Sequence, residues 1–97
     1  MNIISDSVTT VAKESLDAIH FPDQEVLLHD EQITQREYNA KRAIRLGNLF
    51  KDKVKVIFED ADSMKMVETT IWGMTERYLI FKRGMIIPLH RIHEIII

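Results

Sequence analysis

The chain contains no cysteine, which excludes disulfides and thiolate-ligated zinc and fits a reducing compartment. It also lacks an uninterrupted apolar run of about 18 residues, the length a membrane helix needs. No positively charged N-terminal region precedes an apolar core, so no signal peptide is expected either. These absences together lead to the expectation of a cytoplasmic protein without a membrane partner. There is no glycine-rich phosphate loop, no spacing of the Ser-His-Asp kind and no carboxylate pair in a setting that would raise a pKa. The chain therefore reads as a binding protein, not an enzyme, with no cofactor.

What is present is ordinary for a globular domain: 97 residues, 45% hydrophobic and 29% charged. A chain of that size buries roughly 60–65% of its unfolded surface, enough for one modest core. Its net charge of −2 conceals an uneven distribution, with −6 over residues 1–35, +5 over 36–55 and −1 over 56–97. The basic middle either forms a phosphate-binding patch or is a solvated face that pairs with the acidic first third.

Along the chain, "SVTTVAKESLDAIH" places Val8, Val11, Ala12, Leu16 and Ile19 at helical spacing, predicting an amphipathic helix over 7–20. Ser7 or Thr9 would cap it, and Pro22 would end it. Residues up to 33 read as a connector, with Val26, Leu27 and Leu28 as an anchor or a short strand. Thr34 and Glu37 have capping-box spacing and predict a second helix, with Ala40, Ala43 and Ile44 on one side and Gly47 as its stop. The period then changes to two. "KVKVIFE", "MKMVETTIWGM", "YLIFK", "MIIPL" and "HRIHEIII" predict five strands joined by tight turns, with a bend or bulge at Gly73. Such a meander is expected to curl into a small barrel or a half-open sheet. Pro88 requires an edge or non-donating position, and Ile95–Ile97 are expected to pair with the first strand or with another subunit.

On these segments the chain resembles the Sm-like group of small SH3-type barrels over residues 34–97. "KDKVKVIFED" is similar to the first strand of that group, "MVETTIWGMTERYLIF" to its bent second and third strands, and "IPLHRIHEI" to its fourth strand, helical turn and fifth strand. His90 falls where bacterial Sm-like RNA chaperones carry the histidine of a Tyr-Lys-His run, with Pro88 and Leu89 in place of the other two. "RAIRLGNLFKDKVKVIFED" and "VETTIWGMT" also resemble a small bacterial protein family with no assigned activity. The fold implied is α+β: one or two N-terminal helices (residues 1–33, then the helix opening 34–97) followed by a five-stranded antiparallel Sm/SH3-like barrel.

Two functional readings follow. The resemblance and the charge cluster imply RNA or single-stranded DNA binding, with Arg42, Arg45, Lys51, Lys53, Lys55, His90 and Arg91 as candidate contacts. Tyr38, Phe50, Trp72 and Tyr78 are the aromatics available for stacking, although Phe50 is expected to pack at the helix–strand junction. The other reading is a protein adaptor or homo-oligomer, with Val8, Val11, Leu16, Ile19, Trp72, Ile95 and Ile97 as the candidate interface. Trp72 serves that interface if its strand face is outward and the core if the strand bends at Gly73. A metal site is not expected: His90 and His93 are three apart, a spacing that suits neither a helix face nor a strand face.

Overall fold

The computed structural model describes residues 8–97; the expected cap at Ser7 and the start of the first helix lie outside them. The elements in chain order are β1 (Val8–Thr10), a 3-10 turn (Lys13–Ala18), α1 (Asp30–Phe50), β2 (Val54–Glu59), β3 (Met64–Thr69), β4 (Ile71–Met74), β5 (Tyr78–Phe81), β6 (Ile86–Pro88) and β7 (Ile92–Ile96). Short 3-10 turns at Lys82–Gly84 and Leu89–Arg91 flank β6.

The expected N-terminal helix is replaced by a strand and a turn. Val8–Thr10 pairs in parallel with Met64–Met66, and the Val11 N–H continues the ladder to the Met66 carbonyl at 2.8 Å. The run Val8-Thr9-Thr10-Val11 is β-branched throughout, and the free edge of β3 offers it hydrogen bonds that an isolated short helix would have to do without. Leu16 then plugs the core from the 3-10 turn.

The barrel expectation is overturned as well. Among the described residues seven strands divide into two open sheets, ordered β1-β3-β2-β7 and β4-β5-β6, and the single α-helix follows β1 instead of preceding all the strands. The break comes at Thr70, between β3 and β4. Its carbonyl accepts the Lys82 N–H at 3.1 Å, outside either strand ladder, and β4 pairs with β5 instead of continuing along β2. A register shift between Ile71 and Gly73 marks the bulge expected at that glycine. Pro88 lies on β6, an edge strand, where its missing N–H costs no ladder bond. β7 pairs antiparallel with β2, Ile95 opposite Val56, so the isoleucine-rich ending does meet the first strand of the predicted meander.

α1 begins four residues before the expected capping box. Asp30 and Glu31 in its first turn complement the helix dipole, and it runs on through Gly47. Gly47 is no stop signal. A Cβ there would run into the Ile71 carbonyl oxygen and stand 3.0 Å from Thr70 Cγ2, so the glycine lets helix and β4 approach. The stop is Lys51 in the left-handed conformation, its N–H bonded to the Gly47 carbonyl at 2.9 Å. Arg36, Ala40, Ala43 and Gly47, all buried, form the inner stripe of α1. The core lies between the helix and the sheets, built from Val54, Val56, Phe58, Val67, Ile71, Leu79, Phe81, Ile87, Ile92 and Ile95 among others.

Candidate interaction surface

Arginine placement decides which charges are available to a ligand. Arg91 is 5% exposed, and its guanidinium donates to three backbone carbonyls: Glu59 at 2.9 Å, Gln24 at 2.7 Å and Asp60 at 3.4 Å. It fastens the segment before α1 to the β2–β3 turn and is not a phosphate contact, which corrects its assignment from sequence. His90 is also engaged. Its Nε2 lies 3.0 Å from the Pro22 carbonyl, which can only accept, so that nitrogen carries the proton. Arg36 holds Glu25 through both oxygens, at 2.6 and 2.8 Å, and donates to the Ile92 carbonyl at 3.0 Å.

The strap of residues 19–29 is thus laced across β7 and the turn before it, with the Val26 N–H on the His90 carbonyl at 2.9 Å. Partial burial by itself would raise the Glu25 carboxyl; the Arg36 hydrogen bonds and the Leu27 N–H outweigh it and hold the pKa below the ordinary glutamate range. Asp60 shows the same balance. Burial opposes ionisation, while Lys65 and the Ser63 and Asp62 N–H groups favour it and prevail. His93 is bonded to Glu59 at 2.8 Å, and among the described residues no group of three His, Cys, Asp or Glu could hold a metal ion.

The remaining candidate cations are exposed. Arg42 and Arg45 lie on the outer side of α1, Lys51 at its cap, Lys53 in the link, and Lys55 on β2. None of the five forms an ion pair among the described residues. Lys55 stands directly opposite Glu68 on β3, on the sheet face away from the helix, and so leaves the group around α1. Lys41, also in the basic stretch, lies 3.8 Å from Glu37.

The expected protein interface is largely absorbed by the fold. Leu16 and Ile95 are buried, and Val11 and Ile19 pack half-buried against the core. Val8 is half-buried on β1. Trp72 and Ile97 remain about half exposed, which settles the tryptophan as outward-facing.

What sequence reading missed is the outer stripe of α1. Glu31, Gln35, Tyr38, Arg42, Arg45 and Leu49 are all exposed and follow one another at alternating steps of four and three, and exposed Leu28 lies just ahead of the helix, before the extended His29. Tyr38 is two residues on from the inner-stripe Arg36, roughly 200° around the helix, so the stripe points away from the core. Leu28 is 87% exposed, Leu49 68% and Tyr38 58%, and the Arg42 guanidinium lies 5.9 Å from the Tyr38 ring centroid. Phe50 beside them is 67% exposed instead of packed at the helix–strand junction. The pattern is visible in the sequence, but ending the helix at Gly47 removes Leu49 and Phe50 from it.

Beside the N-terminal half of α1 runs a groove of about 630 Å³, floored by Ile33, Met74 and Leu89. Part of its lining is engaged, Arg36 with Glu25, His90 with Pro22 and Glu37 with Lys41, whereas Glu76 and Arg77 form no ion pair among the described residues. No helix among the described residues is long and apolar enough to cross a membrane. Comparison with protein-family models, curated proteins and solved structures finds no match to this chain.

Proposed function

We propose that the protein is a non-catalytic interaction module that docks another protein through the outer face of α1. One observation carries the reading: Tyr38, Leu49 and Phe50 on the helix and Leu28 just ahead of it, the four most exposed of the large apolar side chains among the described residues, accompany two arginines free of ion pairs among the same residues. Aromatic residues and arginine are the types enriched at interface centres, where a large contact area meets few conformational degrees of freedom. An exposed leucine on a helix already anchored by its opposite face serves no folding purpose. The test is a photo-crosslinking residue introduced in place of Arg45, with Glu68 on the far sheet face as control. Protein adducts resistant to nuclease at position 45 alone are expected; no adducts there, or adducts lost to nuclease, would reject the reading.

A second reading is RNA or single-stranded DNA binding by Arg42, Arg45, Lys51 and Lys53. Its specific support is the Arg42–Tyr38 stack, which presents a charge and a stacking face together. Leu28 and Leu49 find no use in it. Retention on an oligonucleotide column at low salt, lost steeply as salt rises, would favour it; no retention at low salt would remove it.

A further inference from the structure

The outer stripe of α1 has a property beyond being sticky: its chemistry is complementary to itself read backwards. In order it is Glu31, Gln35, Tyr38, Arg42, Arg45, Leu49, six exposed positions at the three-four spacing of a helix-pairing seam, with exposed Leu28 in the chain just ahead of the helix. Reversed about Tyr38, the glutamate falls on an arginine and the glutamine on the other arginine, with a leucine beyond each end. We infer that the partner is a second copy of this chain, docked antiparallel along α1 with the two-fold axis at Tyr38. The inference rests on the interaction-module reading and names its partner.

The geometry follows from the symmetry. In a two-fold interface, if one residue contacts a second across it, the second contacts the first. Antiparallel pairing therefore places Arg45 against Glu31, Arg42 against Gln35, and Tyr38 against Tyr38, with Leu49 lying toward the chain just ahead of the other copy's helix. The parallel alternative stacks Arg42 on Arg42, Arg45 on Arg45 and Glu31 on Glu31, a like-charge column that disfavours it. The acidic first turn of α1, with Asp30 and Glu31, and the basic residues of its C-terminal half and cap, Arg42, Arg45 and Lys51, reinforce the same direction. From Glu31 to Leu49 the seam runs about 27 Å at 1.5 Å per residue. The inner stripe of small and buried residues holds α1 against the sheets, so the outer stripe can be covered without refolding. Four of the six helical seam residues are polar, which fixes register at the expense of strength. The dimer is accordingly weak and concentration-dependent.

The test uses the full chain. Sedimentation across a concentration series is expected to show a reversible monomer–dimer equilibrium. Tyr38→Cys is expected to give a disulfide-linked dimer under mild oxidation, because the two-fold axis brings the two positions together and the chain has no other cysteine. Glu68→Cys, on the far sheet face, is the control that stays unlinked. Glu31→Arg and Arg45→Glu are each expected to weaken dimerisation about tenfold or more, and the double reversal to restore it. These positions are exposed, and an unchanged melting temperature confirms that the variants fold. A chain that stays monomeric at every concentration, with Tyr38→Cys unlinked, would overturn the inference. So would a dimer that the double reversal fails to restore. If the chain is monomeric and the residue placed at position 45 still crosslinks to a different protein, the self-pairing falls while the interaction-module reading stands. If neither self-pairing nor crosslinking occurs, both fall.

Discussion

Arg91 Nη1 donates to the Gln24 carbonyl oxygen at 2.7 Å, across 67 residues of sequence. That bond, with those from the same guanidinium to Glu59 and Asp60, ties the strap ahead of α1 to the β2–β3 turn. A buried guanidinium satisfied by carbonyls is a structural rivet, not a ligand contact, because its charge is spread into groups that cannot leave.

Replacing it exposes the cost. Arg91→Ala leaves two or three backbone acceptors without donors in a poorly hydrated place, and such orphaned groups cost about 1–3 kcal/mol each. A loss of roughly 2–4 kcal/mol is expected, which for a domain of this size is a fall of about 10–25 °C in melting temperature. Thermal unfolding followed by circular dichroism checks it. A change of only a degree or two would show that the strap does not depend on this residue.

Acid should loosen the same region. Glu25 and Asp60 have pKa values held below their ordinary ranges in the folded chain, so the unfolded chain binds protons more readily. Their stabilisation is complete near neutrality, above the unfolded values of about 4, and is withdrawn as pH falls through the lower folded values. Urea midpoints measured from pH 7 downward are expected to decline below about pH 4. Glu25→Gln and Asp60→Asn should each flatten that decline. Variant and native profiles running parallel throughout would show that these two carboxyls are not its source.

Gly47→Ala tests the close approach of α1 to β4. By helix propensity alone the change should stabilise by about 1 kcal/mol. The added methyl, however, meets the Ile71 carbonyl, part of a backbone that cannot swing aside. We expect a net loss of roughly 1–3 kcal/mol, the usual range for overpacking. A stabilised variant would mean that the helix can ride away from the sheet at little cost.

The outer stripe should behave oppositely. Leu49→Ser and Tyr38→Ala are expected to change monomer stability by no more than about 0.5 kcal/mol, as for surface positions without structural partners. Leu49→Ser should nevertheless sharply reduce partner crosslinking from position 45. Stability losses of core size would show that the stripe is packed against the chain itself.

How much of this was legible beforehand differs from element to element. The period-two run Val54, Val56, Phe58 announced β2, and the isoleucine-rich ending announced a strand paired with it or with another subunit; the strand is there and the pairing is with β2. The turn at Arg83 and Gly84, both at positive φ, and the edge position of Pro88 were equally readable. Residues 8–18 were not. Their helical spacing is real, but an unpaired β3 edge lay nearby in space and captured Val8–Thr10, which no local pattern reports. Arg91 looked like a ligand contact because sequence shows a charge and not the three carbonyls converging on it.

The sequence by itself determined the helix-to-strand change after α1, the strands whose alternation separates buried from exposed residues, and the basic character of residues 36–55. Those properties follow from side-chain periodicity and composition, which act locally. Only the tertiary structure decided that the strands part at Thr70 into two open sheets, that Gly47 is a contact and not a stop, and that Arg36 and Arg91 are internal while Arg42 and Arg45 face outward. The physical reason is common to all three. Each depends on which backbone carbonyls and surfaces are brought close by the rest of the chain, and that proximity is set by packing over long sequence separations.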